Sequence, residues 1–328
     1  MQWVVAGSLA ITTLSCGPSD KQDDAVAAAQ AFSRGDLVMA SKLYLRASEQ
    51  GHAGAQHTLG AMYANGQGVR HDYAEAMAWY RKAAEQGHAA AQYSLGLGYR
   101  DGDGVPHDIA EAMGWFRKAA EQGHVVAQYT LGVMYSHSDA IANDAAEAMR
   151  WYRKAADQGY ATAQYSVGLG YRDGDGVPQD IAEAMAWFHK AADQGLVVAQ
   201  YSLGSAYRDG EGVPQSDTVA VSWYRKAADQ DYPPAQHSLG VMYANGRGIP
   251  RDDAEAVRWY RKAAYRDYLP AQYSLAVMYA KGRGVPRDKA QAMRWYRAAA
   301  DQGYGPPPAS AAADTPAIDA SPKSMPRQ

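Results

Sequence analysis

The stretch "HAAAQYSLGLGYRDGDGVPHDIAEAMGWFRKAAEQG", residues 88–123, contains two helical patterns and one break. Ala91, Leu95, Gly96 and Tyr99 fall at helical spacing. "DGDGVPHD" then interrupts the pattern with two glycines and a proline. Asp108 is placed to cap a second helix, with Glu111 three residues on, the order of a capping box. Ala112, Trp115, Phe116, Ala119 and Ala120 form an apolar stripe, with Arg117, Lys118 and Glu121 off it. Gly123 supplies the positive φ that ends the helix. The stretch therefore reads as helix, loop, helix.

The same unit recurs along the chain. Trp79, Trp115, Trp151, Trp187, Trp223, Trp259 and Trp295 are each 36 residues apart. A fixed period of this size marks an array in which each unit buries its apolar face on its neighbours. Seven full repeats follow, 52–87, 88–123, 124–159, 160–195, 196–231, 232–267 and 268–303. A degenerate unit at 16–51 keeps Asp36, Ala40, Leu43, Tyr44, Ala47, Glu49 and Gly51 in register and is expected to cap the array. Gly60, Gly96, Gly132, Gly168, Gly204 and Gly240 share one column, with Ala276 last, where a missing Cβ lets the two helices of a repeat approach closely.

The run "AQYSLG", the Tyr after it, G-x-G-V-P-x-D, A-x-x-W and K-A-A-x-Q-G repeat through 52–303. In these residues the chain resembles the Sel-one-like repeat family, relatives of the tetratricopeptide repeat. The resemblance implies an all-α fold, a right-handed α-solenoid of helix–loop–helix repeats with an extended concave face. It also implies a protein that holds other proteins together, and bacterial members of the family are often exported. Some cysteine-rich relatives carry a disulfide in each unit and have been ascribed a β-lactamase-type activity. This chain has one cysteine, Cys16, so that activity is not carried over.

The bulk numbers narrow the partners. The chain of 328 residues has a formal charge of −3 and a pI near 6.3, too small and mixed a charge to point to nucleic acid or an anionic membrane surface. With 24 Tyr, 8 Trp, 3 Phe and abundant small residues, the composition suits helices in close approach. A single cysteine excludes a disulfide framework and any zinc site built from several thiolates.

The apolar run Trp3–Leu14 has the length of a signal-peptide core. It ends in "TTLSCGPSD", and Ser15 before Cys16 resembles the end of a bacterial lipoprotein signal. Thr13 and the lack of Lys or Arg ahead of the run depart from that pattern. Residues 1–15 are accordingly expected to be a lipoprotein signal, with Cys16 lipidated and the protein in the cell envelope. The competing reading is an ordinary cleaved signal with an incidental cysteine. Both put the mature chain outside the cytoplasm. Residues 304–328, rich in Pro, Ala and Ser, are expected to be disordered.

The residue patterns of several chemistries are incomplete in this sequence. An EF-hand loop counted from Asp101 meets Asp103 at position 3, but Val105, Pro106 and Ala112 stand at positions 5, 6 and 12. Lys281 and Arg283 occupy the equivalent loop of the last repeat, so the loop needs no cation. His52, His88 and His124 share a column, but stacked repeats are separated by two helix layers, too far to share one metal. These histidines are read as surface polar residues. Ser94, Ser166, Ser202, Ser238 and Ser274 form a column, so no single nucleophile stands out. No catalytic residue, metal site or cofactor is expected.

The concave face remains as the candidate site. By the tetratricopeptide resemblance it is lined by the first helix of each repeat. On it fall His57, Tyr93, Tyr129, Tyr165, Tyr201, His237 and Tyr273, with Arg100, Arg172 and Arg208 beside the loops. Aromatic rings flanked by arginines suit a polypeptide partner. The same rings are also candidates for the repeat's own packing. The Gln column, Gln56 to Gln272, is read as a ladder between repeats.

The loops are zoned. "RDGDG" and "RDGEG" occupy repeats two, four and five, whereas "ANGQG", "ANGRG" and "AKGRG" occupy one, six and seven. Residues 136–144 break the loop pattern, as a decayed unit or a specialised contact. The function expected is a non-enzymatic scaffold of the bacterial cell envelope that binds protein along the concave face. An exported factor binding a host protein, and an envelope hydrolase acting on cell-wall material or β-lactams, are the alternatives.

Overall fold

The computed structural model describes residues 20–137 and 144–303. The expected signal, Cys16, the C-terminal tail and most of the aberrant loop lie outside the described residues. Among the described residues there are sixteen α-helices and no strand. They come in consecutive pairs, and each helix packs on the next. The fold is an all-α solenoid of repeated helix pairs.

Two compact units divide the chain, with the boundary between Leu131 and Gly132. The first holds α1 (Asp20–Ser33), α2 (Leu37–Glu49), α3 (Ala53–Asn65), α4 (Tyr73–Glu85), α5 (Ala89–Asp101) and α6 (Ile109–Glu121). α7 (Val125–His137) spans the boundary. The second unit continues with α8 (Ala145–Asp157), α9 (Ala161–Asp173), α10 (Ile181–Asp193), α11 (Val197–Asp209) and α12 (Asp217–Asp229). It ends with α13 (Pro233–Asn245), α14 (Asp253–Ala264), α15 (Leu269–Lys281) and α16 (Lys289–Ala300).

The local signals explain the helix ends. The Asp108 carboxylate accepts the Glu111 amide at 3.0 Å and starts α6, and Asp72, Asp144, Asp180, Asp252 and Asp288 cap their helices in the same way. Gly102 closes α5 in the left-handed region at φ 76°. Gly104, at φ 71°, lies against the backbone of Tyr73 and Ala74 at the start of α4. A side chain there would be strained by the dihedral and would also push neighbouring repeats apart.

The core of each repeat is an aromatic ring laid over a glycine. A Cβ on Gly96 would stand 2.6 Å from the Phe116 ring, and one on Gly168 would stand 2.5 Å from Phe188. Gly60 faces Tyr80 at 2.7 Å and Gly240 faces Tyr260 at 2.7 Å. In the last repeat Ala276 takes the glycine's place, and the opposing Tyr296 is half-buried where Tyr260 is fully buried. α16 is the last described helix, so no further described repeat covers Tyr296 as α15 and α16 cover Tyr260. In the first unit α1 packs on α2, and α2 on α3, through Ala28, Ala31, Ala40, Tyr44, Ala47 and Leu59.

The Gln column is a hydrogen-bond ladder. Gln92 Nε2 donates to the Ala84 carbonyl at 3.1 Å, and Gln122 Nε2 donates to Gln92 Oε1 at 2.7 Å. Gln56, Gln164 and Gln200 repeat both contacts. Buried amides in a stack of helices need such partners, and the Gln takes its acceptor from the repeat before it and its donor from the end of its own repeat.

Candidate functional site

The stripe on the first helices is half-buried and built into the packing. Each ring rests on the aromatic of its own second helix. Tyr93 lies 5.5 Å from Phe116, Tyr165 5.3 Å from Phe188, Tyr201 5.7 Å from Tyr224, and Tyr273 5.6 Å from Tyr296. His57, Tyr93, Tyr165 and Tyr201 also reach the following repeat. Tyr165 Oη is 3.1 Å from Ser202 Oγ, and His57 Nε2 is 3.3 Å from Ser94 Oγ. Tyr93 stacks on His124 at 5.0 Å. Tyr129 is half-buried on α7. Three of the serine column, Ser94, Ser202 and Ser274, are thus inter-repeat hydrogen-bond partners.

His237 departs from the expected stripe. It is 9% exposed, packed on Tyr260 and Tyr268, with Nε2 3.0 Å from Ser274 Oγ. Its ring offers no face to a partner, because Tyr268 at the start of α15 covers it. Burial pushes His237 down from the ordinary imidazole value to about 4. His57 is also lowered to about 4, first by burial and then by the charges of His88 and His124.

The arginines beside the stripe are already paired. Arg100 donates through Nε and Nη2 to both oxygens of Asp101, at 2.7 and 2.8 Å. Arg172 holds Asp173 and Arg208 holds Asp209 in the same bidentate way. All three carboxylates are more than a third exposed at their side chains, so each pair faces solvent as a dipole rather than a free cation.

The arginines of the C-terminal loops are tied back onto the preceding repeats. Arg247 reaches back to Asp217, with Nε–Oδ2 at 3.0 Å and Nη2–Oδ1 at 2.9 Å. Arg283 reaches back to Asp253 and also donates to the Ala244 carbonyl at 3.0 Å. Their charge is neutralised within the molecule. The signal was in the sequence: Asp217 and Asp253 begin the second helix only in the repeats preceding these arginines. Tyr73, Ile109, Ala145 and Ile181 hold that position in the earlier ones.

Two further roles escaped the sequence reading. His52, His88 and His124 are helix N-caps, their Nδ1 atoms accepting the amides of Ala55, Ala91 and Ala127 at 3.1 to 3.2 Å. Their place immediately before the first helix was the available clue. Lys82, Lys118, Lys154, Lys190, Lys226 and Lys262 lie 3.6 to 4.1 Å above the Trp three residues earlier. Among the described residues there is no group of three or more acidic, His or Cys side chains able to hold a metal ion. No helix among them is long and apolar enough to cross a membrane.

Comparison with known proteins decides the family. The Sel1 repeat profile matches eight times, at 32–52, 53–88, 89–124, 125–160, 161–196, 197–232, 233–268 and 269–304. The chain belongs to the Sel1 repeat family. A Sel1 repeat protein from Oxalobacter formigenes is 34% identical, covering 91% of this chain and 95% of its own, with a TM-score of 0.70. The protein c5321 is a protective antigen present in uropathogenic Escherichia coli strains and displays an SLR fold. It is 36% identical over 80% of this chain, with a TM-score of 0.65. The chain spans 64% of that protein's length. Comparison with curated proteins gave no match. Sel1 repeat solenoids are generally protein-interaction scaffolds without catalytic function.

Proposed function

We propose that this Sel1 repeat protein is a non-enzymatic scaffold of the bacterial cell envelope that binds a partner polypeptide along the face carried by its first helices. One observation carries this reading. Repeats two, four and five each present a half-exposed Tyr edge beside a solvent-facing Arg–Asp pair, at Tyr93/Arg100, Tyr165/Arg172 and Tyr201/Arg208. Aromatic edges next to oriented donors and acceptors are the chemistry of polypeptide recognition. The rings need no rearrangement to do this, because the packing beneath already fixes them.

The envelope location rests on the Cys16 signal, and the 36% identity to a protective antigen of Escherichia coli agrees with export. Crosslinking in envelope fractions, followed by affinity capture and mass spectrometry, tests both halves of the reading. A discrete polypeptide captured from the membrane fraction supports it, together with lipid labelling that is lost in Cys16→Ser. Recovery of the protein only from the medium would instead favour an exported factor acting on a host protein.

A further inference from the structure

The second unit contains a cavity of about 380 Å³ between the fourth and fifth repeats. Ile181, Ala184, Met185 and Phe188 of α10 form its apolar floor, with Ala206 of α11. Tyr201, Ser202 and Ser205 bring hydroxyls to one wall. Arg172, at the end of α9, and Glu211, in the loop after α11, stand at its edge.

The cavity has a local cause. Where Ser205 stands, the other repeats carry Ala61, Leu97, Val133, Leu169, Val241 and Val277. Where Ala206 stands, four of them carry a methionine: Met62, Met134, Met242 and Met278. The remaining two carry Gly98 and Gly170, and there Met77 and Met149 of the preceding second helix fill the space. The fifth repeat pairs a small residue with a hydroxyl, and Met185 lines the hollow without closing it. Packed interiors seldom leave space of this size unfilled, and ligand sites are lined in this manner, mostly apolar with a few convergent polar groups.

Building on the scaffold reading, we propose that this cavity anchors one tyrosine-type side chain of an extended polypeptide. The aromatic body lies on Met185, Ile181 and Phe188, and the phenol reaches the hydroxyls of Ser202 and Ser205. Those hydroxyls already contact Tyr165 Oη and Tyr224 Oη at 3.1 Å, and each keeps a further lone pair for a donor. Each residue of a partner backbone brings one N–H and one C=O. Glu211 accepts from the former. Arg172, whose Nε and Nη2 are held by Asp173, donates through Nη1 to the latter. A free cation or anion matches the opposed edge charges less well than this neutral, two-sided group.

The test titrates the full chain with N-acetyl-L-tyrosinamide and N-acetyl-L-phenylalaninamide, followed by ligand-observed NMR. Saturable millimolar binding is expected, with the tyrosine compound about fivefold tighter, the effect of one hydrogen bond. Ser205→Val with Ala206→Met gives this repeat the pair carried at Val241–Met242 and Val277–Met278, and should abolish binding of both compounds. Ser202→Ala with Ser205→Ala should erase the fivefold preference while leaving the ring bound, and this arm decides the matter if the filled variant does not fold. Absence of saturable binding, unaltered binding in the filled variant, or a preference that survives loss of both hydroxyls would each overturn the proposal. The scaffold reading fails separately. If a captured partner binds the filled variant as tightly as the parent, the cavity is not its anchor while the scaffold stands. If no partner is captured by any form, the scaffold reading falls, and the tyrosinamide titration still judges the cavity.

Discussion

Arg283 grips Asp253 of the preceding repeat with two prongs, Nη2–Oδ1 at 2.6 Å and Nε–Oδ2 at 3.1 Å. The hydrogen bond from Arg283 holds the Asp253 carboxyl down to about 2. A double-mutant cycle with Arg283→Ala and Asp253→Ala is expected to show a coupling of about 0.5–1 kcal/mol. Urea denaturation measures it, and about half should disappear in high salt because both side chains touch solvent. The folded-state pKa is depressed, so the contribution is present above pH 4 and fades as pH falls towards 2.

Acid should loosen the histidine positions first. His57 and His237 are held near 4 in the folded protein, against about 6.5 for a free imidazole. The unfolded chain therefore binds more protons between these values, and stability falls as pH drops through that window. His237 alone is expected to account for roughly 3 kcal/mol between pH 7 and pH 4. Burial, and then a neighbouring histidine, holds His88 and His124 below the ordinary imidazole value, and their protonation at lower pH also costs their helices the amide acceptor at the N-cap. Melting temperature against pH checks this, and the curve should flatten in His237→Gln.

The glycine column gives a matched pair of substitutions. Gly168→Ala places a methyl 2.5 Å from the Phe188 ring and is expected to cost about 1–3 kcal/mol. Gly114 lies inside α6 with nothing within 4 Å of its missing Cβ. Gly114→Ala should stabilise by about 0.5–1 kcal/mol, the ordinary gain from removing a mid-helix glycine. Thermal melts of the two variants should move in opposite directions.

How legible the molecule was depends on whether a role repeats. Gly96 over Phe116, Asp108 at its cap and Gln92 in its ladder recur at every period or nearly so, and period alone exposes them. Roles confined to one or two repeats were not legible in that way. The Arg247–Asp217 pair joins a loop to a helix start 30 residues earlier, and only the stacking of repeats brings the two together. The stripe was legible as a column, but its exposure was not. His237 is covered because the first turn of the next helix brings Tyr268 against it, where His88 in the same role leaves His57 half-exposed.

The fifth and sixth repeats depart from the common pattern. Asp231 and Asp267 take a left-handed φ, 63° and 57°, where the other repeats have glycine. Arg266 replaces the ladder glutamine and pairs with Asp231, and the Gln236 carbonyl oxygen is buried without a partner. Asp231→Gly with Arg266→Gln restores both the glycine and the ladder. A gain of about 1–2 kcal/mol in unfolding free energy is expected, from relieved backbone strain and a satisfied acceptor.

The central claim is that the first-helix face is the one that meets a partner. A photo-crosslinking amino acid at Val133, 37% exposed on α7, samples that face, whereas one at Arg150 samples the solvent side of α8. Irradiation in envelope preparations is predicted to yield one discrete adduct from position 133 and none from position 150. An equal yield from both positions, or an adduct from position 150 alone, would contradict the account.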